Sequence, residues 1–378
     1  MLLRPAKAAT AVVVAIGLGT GCDGRIVDDR LADGGGDPGH TSAIDGAVAA
    51  DAWPPEEEGV IEPLMAIGNA EAKTLEVYAW EETSWAPGVA EWIWTPTTAL
   101  GFSSTGIDAF DGPYEHKVRN VDGFPGKASK AVCVVGHRWL GVIAYEGAYE
   151  RGRKLWGTFW SAAQNPSVHG CELLPNGNLA VASPGAGEYG AWVRIYDTSD
   201  ITVGTDFVSV PLPSARNLTW DPDEELLWTA GRDPADEKYY VMAFTIGSRT
   251  EPQLVEQVDR RRPAPGAYPH DLSPYYGDKT KLWFADHSGL YIFDKTATDP
   301  SLAFMPAPGD SNRATLKSAG NQNGGGLLVE TLRDPVGCGP YCTRTVDFYH
   351  PATGVKQFTR TASHARIYRA RVFTTDYN

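Results

Sequence analysis

The feature that most constrains the fold is a repeat of about 50 residues, which recurs along most of the 378-residue chain. Each copy contains four short apolar or alternating segments, separated by turns rich in Gly, Pro, Asp and Asn, as expected of β-strands. The clearest copy begins HGCELLPNGNLAVAS at His169, with a turn at residues 175–178 between two strands. A period near 50 with four strands in each unit is typical of a β-propeller.

The two ends of the repeat region complement each other. Three strands of one blade are predicted to begin at Leu64, Leu75 and Trp92, and its innermost strand is predicted between His364 and Phe373. A sheet made from both ends would close the ring and remove the open edge. We therefore expect an all-β, six-bladed β-propeller. Two β-sandwiches are the alternative, but they would give irregular strand spacing.

The first 59 residues differ from the repeats in composition. Arg4 and Lys7 precede a short apolar run and small residues, which predicts a signal peptide over residues 1–21. The segment LGTGC, which ends at Cys22, resembles the lipobox of bacterial lipoproteins, and this resemblance implies that the cysteine is lipidated. An ordinary cleaved signal with a chance cysteine is the alternative. Residues 22–59 are rich in Gly, Asp and Ala, so we expect a disordered acidic tether before a propeller domain over residues 60–378.

These features predict the compartment and exclude one class of partner. We expect an extracytoplasmic, monomeric lipoprotein that is held to the membrane by its lipid anchor, on the periplasmic side or at the cell surface. The net charge of −14 argues against nucleic acid, because phosphate binding needs a basic face. Outside the cytoplasm the remaining cysteines predict two disulfides. Cys338 and Cys342 are close in sequence and should close a hairpin, whereas Cys133 and Cys171 should join neighbouring strands. Free thiols are the alternative for both pairs.

A cationic or titratable residue stands at the head of each predicted inner strand. In the copies at His169, Arg216 and Lys317 it lies ten positions before the next apolar strand. Because the first strand of each blade lines the central channel, these residues are expected at one mouth of the channel. The predicted ring consists of Lys117, His169, Arg216, His270, Lys317 and His364.

Such a ring predicts binding of an anionic ligand, either a small anion or an anionic glycan. The alternative is structural, since channel donors can satisfy buried carbonyl groups of neighbouring strands. A lyase or hydrolase acting on acidic polysaccharide is a further possibility, with His169 or His270 as metal ligand or base and Tyr268 or Tyr275 as acid. A third alternative is a scaffold that binds other proteins at the rim of the propeller.

The sequence assigns no catalytic residue, metal or cofactor. No second close pair of metal ligands lies near either cysteine pair, no carboxylate pair marks a glycosidase, and no G-x-S-x-G motif is present. We therefore expect a binding protein rather than an enzyme. His137 and His287 follow second strands and are predicted to be exposed turn residues.

Two phrases also resemble those of a family of uncharacterised secreted bacterial propeller proteins. They are HGCELLPNGN from His169 and AYPHDLSPYYGD from Ala267. The similarity extends from about Pro63 to Phe373 and implies a propeller fold, but it implies no activity. The chain departs from the family pattern at Arg216, where the family has histidine, and near His270, where the usual glycine is replaced.

Overall fold

The structure is a computed structural model that describes residues 64–121, 128–185, 189–199, 206–309, 313, 315–322 and 326–375. The predicted signal peptide, Cys22 and the acidic tether lie outside these residues. The described residues form six antiparallel sheets, each of which is one blade.

The strands of each blade are given from the channel outwards. Blade 1 contains β25 (Ile367–Phe373), β1 (Leu64–Asn69), β2 (Thr74–Ala79) and β3 (Trp92–Trp94). Blade 2 contains β4 (Glu115–Asn120), β5 (Ala128–Gly136), β6 (Trp139–Gly147) and β7 (Lys154–Phe159). Blade 3 contains β8 (Gly170–Leu173), β9 (Leu179–Ser183), β10 (Trp192–Tyr196) and β11 (Phe207–Pro211).

The second half of the ring repeats this arrangement. Blade 4 contains β12 (Leu218–Asp221), β13 (Leu226–Arg232), β14 (Tyr239–Gly247) and β15 (Pro252–Glu256), and β16 (Arg262–Pro263) also pairs with β14. Blade 5 contains β17 (Asp271–Pro274), β18 (Lys281–Ala285), β19 (Leu290–Asp294) and β20 (Phe304–Pro306). Blade 6 contains β21 (Leu316–Asn321), β22 (Leu328–Leu332), β23 (Thr345–Tyr349) and β24 (Lys356–Thr361). A short helix, α1 (Ser104–Ala109), lies between blades 1 and 2.

The inner strands form a closed ring. They contact one another in the cyclic order β25, β4, β8, β12, β17, β21 and back to β25. Strand β25 pairs with β1, so both ends of the propeller region build blade 1. The predicted six-bladed propeller and its closure are confirmed, and the alternative of two β-sandwiches is wrong.

Apolar and aromatic side chains fill the space between neighbouring blades. The rings of Trp156 and Tyr196 lie 5.7 Å apart between blades 2 and 3, and those of Trp228 and Phe293 lie 5.3 Å apart between blades 4 and 5. Inner and middle strands are buried on both faces, as a sheet between two others must be. This packing holds the inner strands at fixed positions around the channel.

Both predicted disulfides are present. Cys133 on β5 is bonded to Cys171 on β8, so this bond joins blades 2 and 3. Cys338 and Cys342 close a short loop between β22 and β23. The disulfides indicate an oxidising, extracytoplasmic setting. Among the described residues no helix is long and apolar enough to cross a membrane.

Candidate functional site

Backbone hydrogen bonds identify the residue that begins each inner strand at the channel mouth. The amide of His169 donates to a carbonyl of β9 at 3.0 Å, and His270 makes the same bond to β18 at 2.8 Å. In blade 2 the equivalent donor is Tyr114, whose amide bonds to β5 at 2.7 Å. Tyr114, rather than Lys117, is therefore the counterpart of His169 and His270.

A backbone feature marks the same positions independently. In five blades a positive φ occurs two residues before the residue that begins the inner strand at the mouth. Residues other than glycine rarely adopt this conformation. The five residues with a positive φ are Gly112 (φ 108), Ser167 (φ 55), Ser214 (φ 64), Tyr268 (φ 55) and Thr315 (φ 71). Four of the five carry a side chain, so each inner strand begins with a strained turn that the rest of the blade must stabilise.

Strand pairing extends this register to the remaining blades. The mouth ring is thus Tyr114, His169, Arg216, His270, Lys317 and Tyr368. Four of the six predicted residues belong to it. We call these six residues the mouth ring.

The structure does not bring Lys117 and His364 into the mouth ring. Lys117 is the third residue of β4, and its buried ammonium pairs with Glu172 at 3.2 Å and Asn217 at 3.0 Å inside the channel. His364 lies before β25, where its Nε2 is 2.8 Å from Glu76 of the same blade. Their predicted positions were three and four residues out of register because the turns in these two blades differ in length from the others.

Arg369 closes the channel immediately below the mouth ring. Its guanidinium is fully buried and pairs with Glu115 at 2.8 Å. It also donates to backbone carbonyl groups of four mouth-ring residues, at distances of 2.5 to 3.2 Å: His169, Arg216, His270 and Lys317. The structural alternative assigned these buried carbonyl groups to the side chains of the ring. In the structure Arg369 satisfies them instead.

Two mouth-ring residues, His270 and Arg216, have side-chain nitrogens that are left without partners among the described residues. His270 is 3% exposed, and within the described part of the chain neither of its ring nitrogens has a hydrogen-bond partner. Arg216 Nη1 is also buried without a partner there. Buried polar atoms in folded proteins are almost always hydrogen-bonded, so unpartnered donors at an opening indicate a place for a ligand or water.

The electrostatics of the mouth ring favour negative charge. Burial lowers the pKa of His270 well below 6.5, and the charges of Lys317 and Arg216 lower it further. Burial likewise lowers the pKa of His169, with His137 and Arg216 as the next causes. Arg216 therefore acts on the histidines at both its sides. A bound anion would offset these positive charges and favour the protonated form of both histidines.

A second set of residues surrounds the mouth ring and was missed from the sequence. It occupies one equivalent position at or just after the second strand of four blades: His137, Arg232, His287 and Arg333. The ring of His137 stacks on Tyr114 with 3.8 Å between centroids, and His287 lies 4.7 Å from His270. Both histidines lie in turns after second strands, as predicted, but they are half-buried against the mouth ring rather than exposed.

Two tyrosines proposed as acids have different environments. Tyr268 is 45% exposed at the mouth, where its ring lies 4.8 Å from His287. Tyr275 instead stacks on Trp283 at 4.9 Å, so it packs within blade 5. Among the residues that the structure describes, no group of three or more His, Cys, Asp or Glu side chains could hold a metal ion.

On the far side of the channel, beyond Arg369, the charged side chains form ion pairs with one another. Below Arg369, Arg119 pairs with Glu172 at 2.6 Å, while Arg371 bridges Glu115 at 2.6 Å and Asp271 at 2.7 Å. A pocket of about 430 Å³, part of it open solvent, lies towards the ends of the inner strands. In the described part of the chain the lysine and arginines that line this pocket are paired, whereas Nδ1 of His116, which also lines it, is buried without a partner.

The fold and the mouth ring define a six-bladed β-propeller with a cationic, aromatic channel mouth. The chain belongs to the Family of unknown function (DUF6528), whose model matches residues 132–330. No curated protein matches it. One solved structure, described as ctPRC2 in complex with H3K27me3 and H3K27M, contains a similar chain at 9% identity and a TM-score of 0.39. That similarity covers 62% of this chain and 47% of the other, so this chain spans about half the length of the one it matches.

Proposed function

We propose that the mouth ring binds a carboxylate or phosphate group of an extracytoplasmic ligand. The observation that carries this proposal is the set of buried, unpartnered nitrogens on Arg216 and His270, beside the ammonium-bearing Lys317. Guanidinium groups bind planar carboxylates and phosphates through two parallel hydrogen bonds, which fits a donor held at an opening.

The role of Arg369 supports this proposal over the structural alternative. In the structural alternative the side-chain nitrogens of Arg216 and His270 would be bonded to channel carbonyl groups. Arg369 occupies that position instead. The side chains of Arg216 and His270 are then available to a ligand that enters from the mouth.

Aromatic faces around the donors favour an acidic sugar over a bare inorganic anion. Tyr114 and His137 lie on one side of the mouth, and Tyr268 and His287 on the other. Aromatic rings next to fixed positive charges suit a ligand with an apolar face and an acidic group, such as a hexuronic acid. We therefore propose an anionic glycan as the natural ligand.

The test is ligand-induced stabilisation of the full chain. Sulfate, phosphate, acetate and hexuronic acid oligomers would be compared by thermal shift and calorimetry, since a ligand that binds only the folded state raises its stability. Arg216→Ala should weaken binding by about tenfold to hundredfold, as expected for loss of a charge-assisted hydrogen bond of about 1.5–3 kcal/mol.

A matched control removes the same charge elsewhere. Arg194 on β10 stacks between Trp192 and Phe207, at 3.9 and 4.1 Å from their rings, outside the mouth ring. Arg194→Ala should leave the affinity unchanged. If it weakens binding as much as Arg216→Ala does, the effect is one of net charge. If no anion binds, the proposal fails and a scaffold role at the rim gains support.

We also propose that the chain is exported and anchored through a lipid on Cys22. The LGTGC segment and the disulfides support this. Mass spectrometry of the N-terminal peptide from the mature protein should find a diacylglyceryl-modified cysteine, and Cys22→Ser should release the protein from membranes. A mature protein that begins elsewhere, with unmodified Cys22, would contradict the proposal.

A further inference from the structure

Next to the mouth ring, the carboxylate of Asp111 lies against His137. One carboxylate oxygen accepts the backbone amide of His137 at 3.1 Å, and the other lies 3.2 Å from its Nδ1. A hydrogen on Nδ1 would face this carboxylate, and Nε2 would then carry the lone pair. An imidazole oriented in this way by a carboxylate is suited to act as a general base, because the carboxylate stabilises the imidazolium that forms.

His169 is fixed in the same way by a different partner. Its Nδ1 lies 2.6 Å from the carbonyl oxygen of Ser167, so this nitrogen donates and Nε2 carries the lone pair. The two imidazole rings are 5.4 Å apart. Within the described residues neither Nε2 has a hydrogen-bond partner, so both are available at the mouth.

Tyr114 supplies a proton donor beside these two histidines. It stacks on His137 and lies 5.6 Å from His169. Burial raises the pKa of its phenol, with Asp111 and Tyr368 as further causes, so the hydroxyl keeps its proton at neutral pH. The arrangement thus contains a base, an acid and the positive charges of Arg216 and Lys317 that would hold a substrate acid group.

We infer that His137 is a catalytic base that removes a proton from the carbon next to the bound carboxylate, which starts a β-elimination. This rests on the proposed anion site. The C–H electron pair becomes a C=C bond, the C–O bond on the neighbouring carbon breaks, and the departing oxygen takes the proton of Tyr114. Tyr114 regains a proton from the His137 imidazolium through water. The negative charge that develops on the carboxylate is stabilised by Arg216 and Lys317.

The substrate class follows from this chemistry. In a chain of hexuronic acids, the carbon next to the carboxylate carries a hydrogen and its neighbour carries the glycosidic oxygen. Elimination therefore cleaves the chain into an unsaturated acid and a free alcohol, with no oxidant, reductant or water consumed. Asp111 is a positioning residue in this scheme, since it acts through His137.

The experiment uses the full chain with oligomers of galacturonic, glucuronic and mannuronic acid. Formation of the conjugated double bond is followed by ultraviolet absorbance, and binding is measured separately by calorimetry. His137→Gln should lower turnover at least a hundredfold, whereas its effect on affinity should be smaller than that of Arg216→Ala. Asp111→Asn should lower kcat more than it changes KM and should alter the pH profile. His350→Ala, in a turn after β23, is the matched control and should change neither quantity.

The outcomes separate this inference from the proposed function. Oligomers that bind, with loss of binding in Arg216→Ala but no double bond formed from any of them, would overturn the catalytic role and leave the binding site intact. New reducing ends without a double bond would mean hydrolysis and would also overturn it. An unchanged pH profile in Asp111→Asn would refute the positioning role. If none of the oligomers binds, the proposed function itself is contradicted.

Discussion

Arg369 and Glu115 form an ion pair of 2.8 Å at the centre of the channel, although they are 254 residues apart in the sequence. Both side chains are fully buried, and burial alone would raise the pKa of Glu115. The charges of Arg371 and Arg369 outweigh burial and hold this pKa well below 4.5. The pair therefore stays ionised and joins blades 1 and 2.

Removal of Arg369 should destabilise the propeller strongly. Arg369→Met leaves Glu115 short of a partner and four carbonyl groups unsatisfied, and breaking a buried pair from one side costs about 3–5 kcal/mol. Urea unfolding at pH 7 measures this loss. Lys130→Met, which breaks an exposed pair with Glu146, should cost no more than about 1 kcal/mol. Equal losses of stability in the two variants would show that Arg369 does not stabilise the channel.

The disulfide between blades 2 and 3 should contribute more to stability than the one in the short loop. Cys133 and Cys171 are 38 residues apart, whereas Cys338 and Cys342 are 4 apart. The loop-entropy model then gives about 4 kcal/mol for the first bond and about 2 kcal/mol for the second. Thermal unfolding of the two double-alanine variants should show this order, and the reverse order would contradict the loop-entropy account.

Glu330 should make stability fall as pH rises towards neutrality. Burial raises its pKa from the ordinary 4.5 to about 7 in the folded state, despite the ion pair with Arg313. Between these values the folded state holds a proton that the unfolded state releases, so stability decreases by about 3 kcal/mol from pH 4.5 to 7. Below pH 4.5 both states are protonated and the effect vanishes.

The check is unfolding of wild type and Glu330→Gln across this pH range. The variant cannot ionise, so this part of the pH dependence should disappear. Glu237→Gln, at a largely exposed glutamate, should keep the wild-type slope. A Glu330→Gln variant with the same slope as wild type would assign the pH dependence to other groups.

Anion binding at the mouth ring should strengthen as the pH falls towards the lowered pKa values of His169 and His270. A bound anion would raise the lowered pKa values of His169 and His270, so binding takes up protons. The charges facing these histidines are Arg216, Lys317 and Arg369, together with His137 and His287 when protonated. Calorimetry in buffers of different ionisation enthalpy measures the uptake, which should be smaller in His270→Ala. Binding that releases protons would refute this linkage.

The fold could be predicted because its signal is repeated. Five copies of the same strand pattern outweigh errors in any single strand, and the strands near Leu64 and His364 completed the sixth blade. The bond between Cys133 and Cys171 was predictable for a related reason, since both cysteines lie on strands of consecutive copies.

The site was only partly predictable. Which residue of each inner strand lies at the channel mouth depends on the strand register, and the repeat pattern does not fix that register to the residue. A search for positive charges at strand starts found His169 and Arg216, but it chose Lys117 over Tyr114 where the turn length changed. The structure shows equivalence through hydrogen bonds and φ angles, which composition does not reveal. Arg369 was missed because it lies inside an otherwise ordinary strand.

Strand β25 has a consequence for how the chain reaches its native state. It carries both Arg369 and Arg371, and it is the strand with which β1 must pair. Until the ribosome has released residues 367–373, Glu115 and Asp271 lack their counter-charges and the first three strands lack a neighbour on their channel side. Closure of the ring therefore waits until residues 367–373 have left the ribosome. Blades 2 to 6 can form during synthesis, but the candidate site is assembled only after synthesis of its last strand is complete.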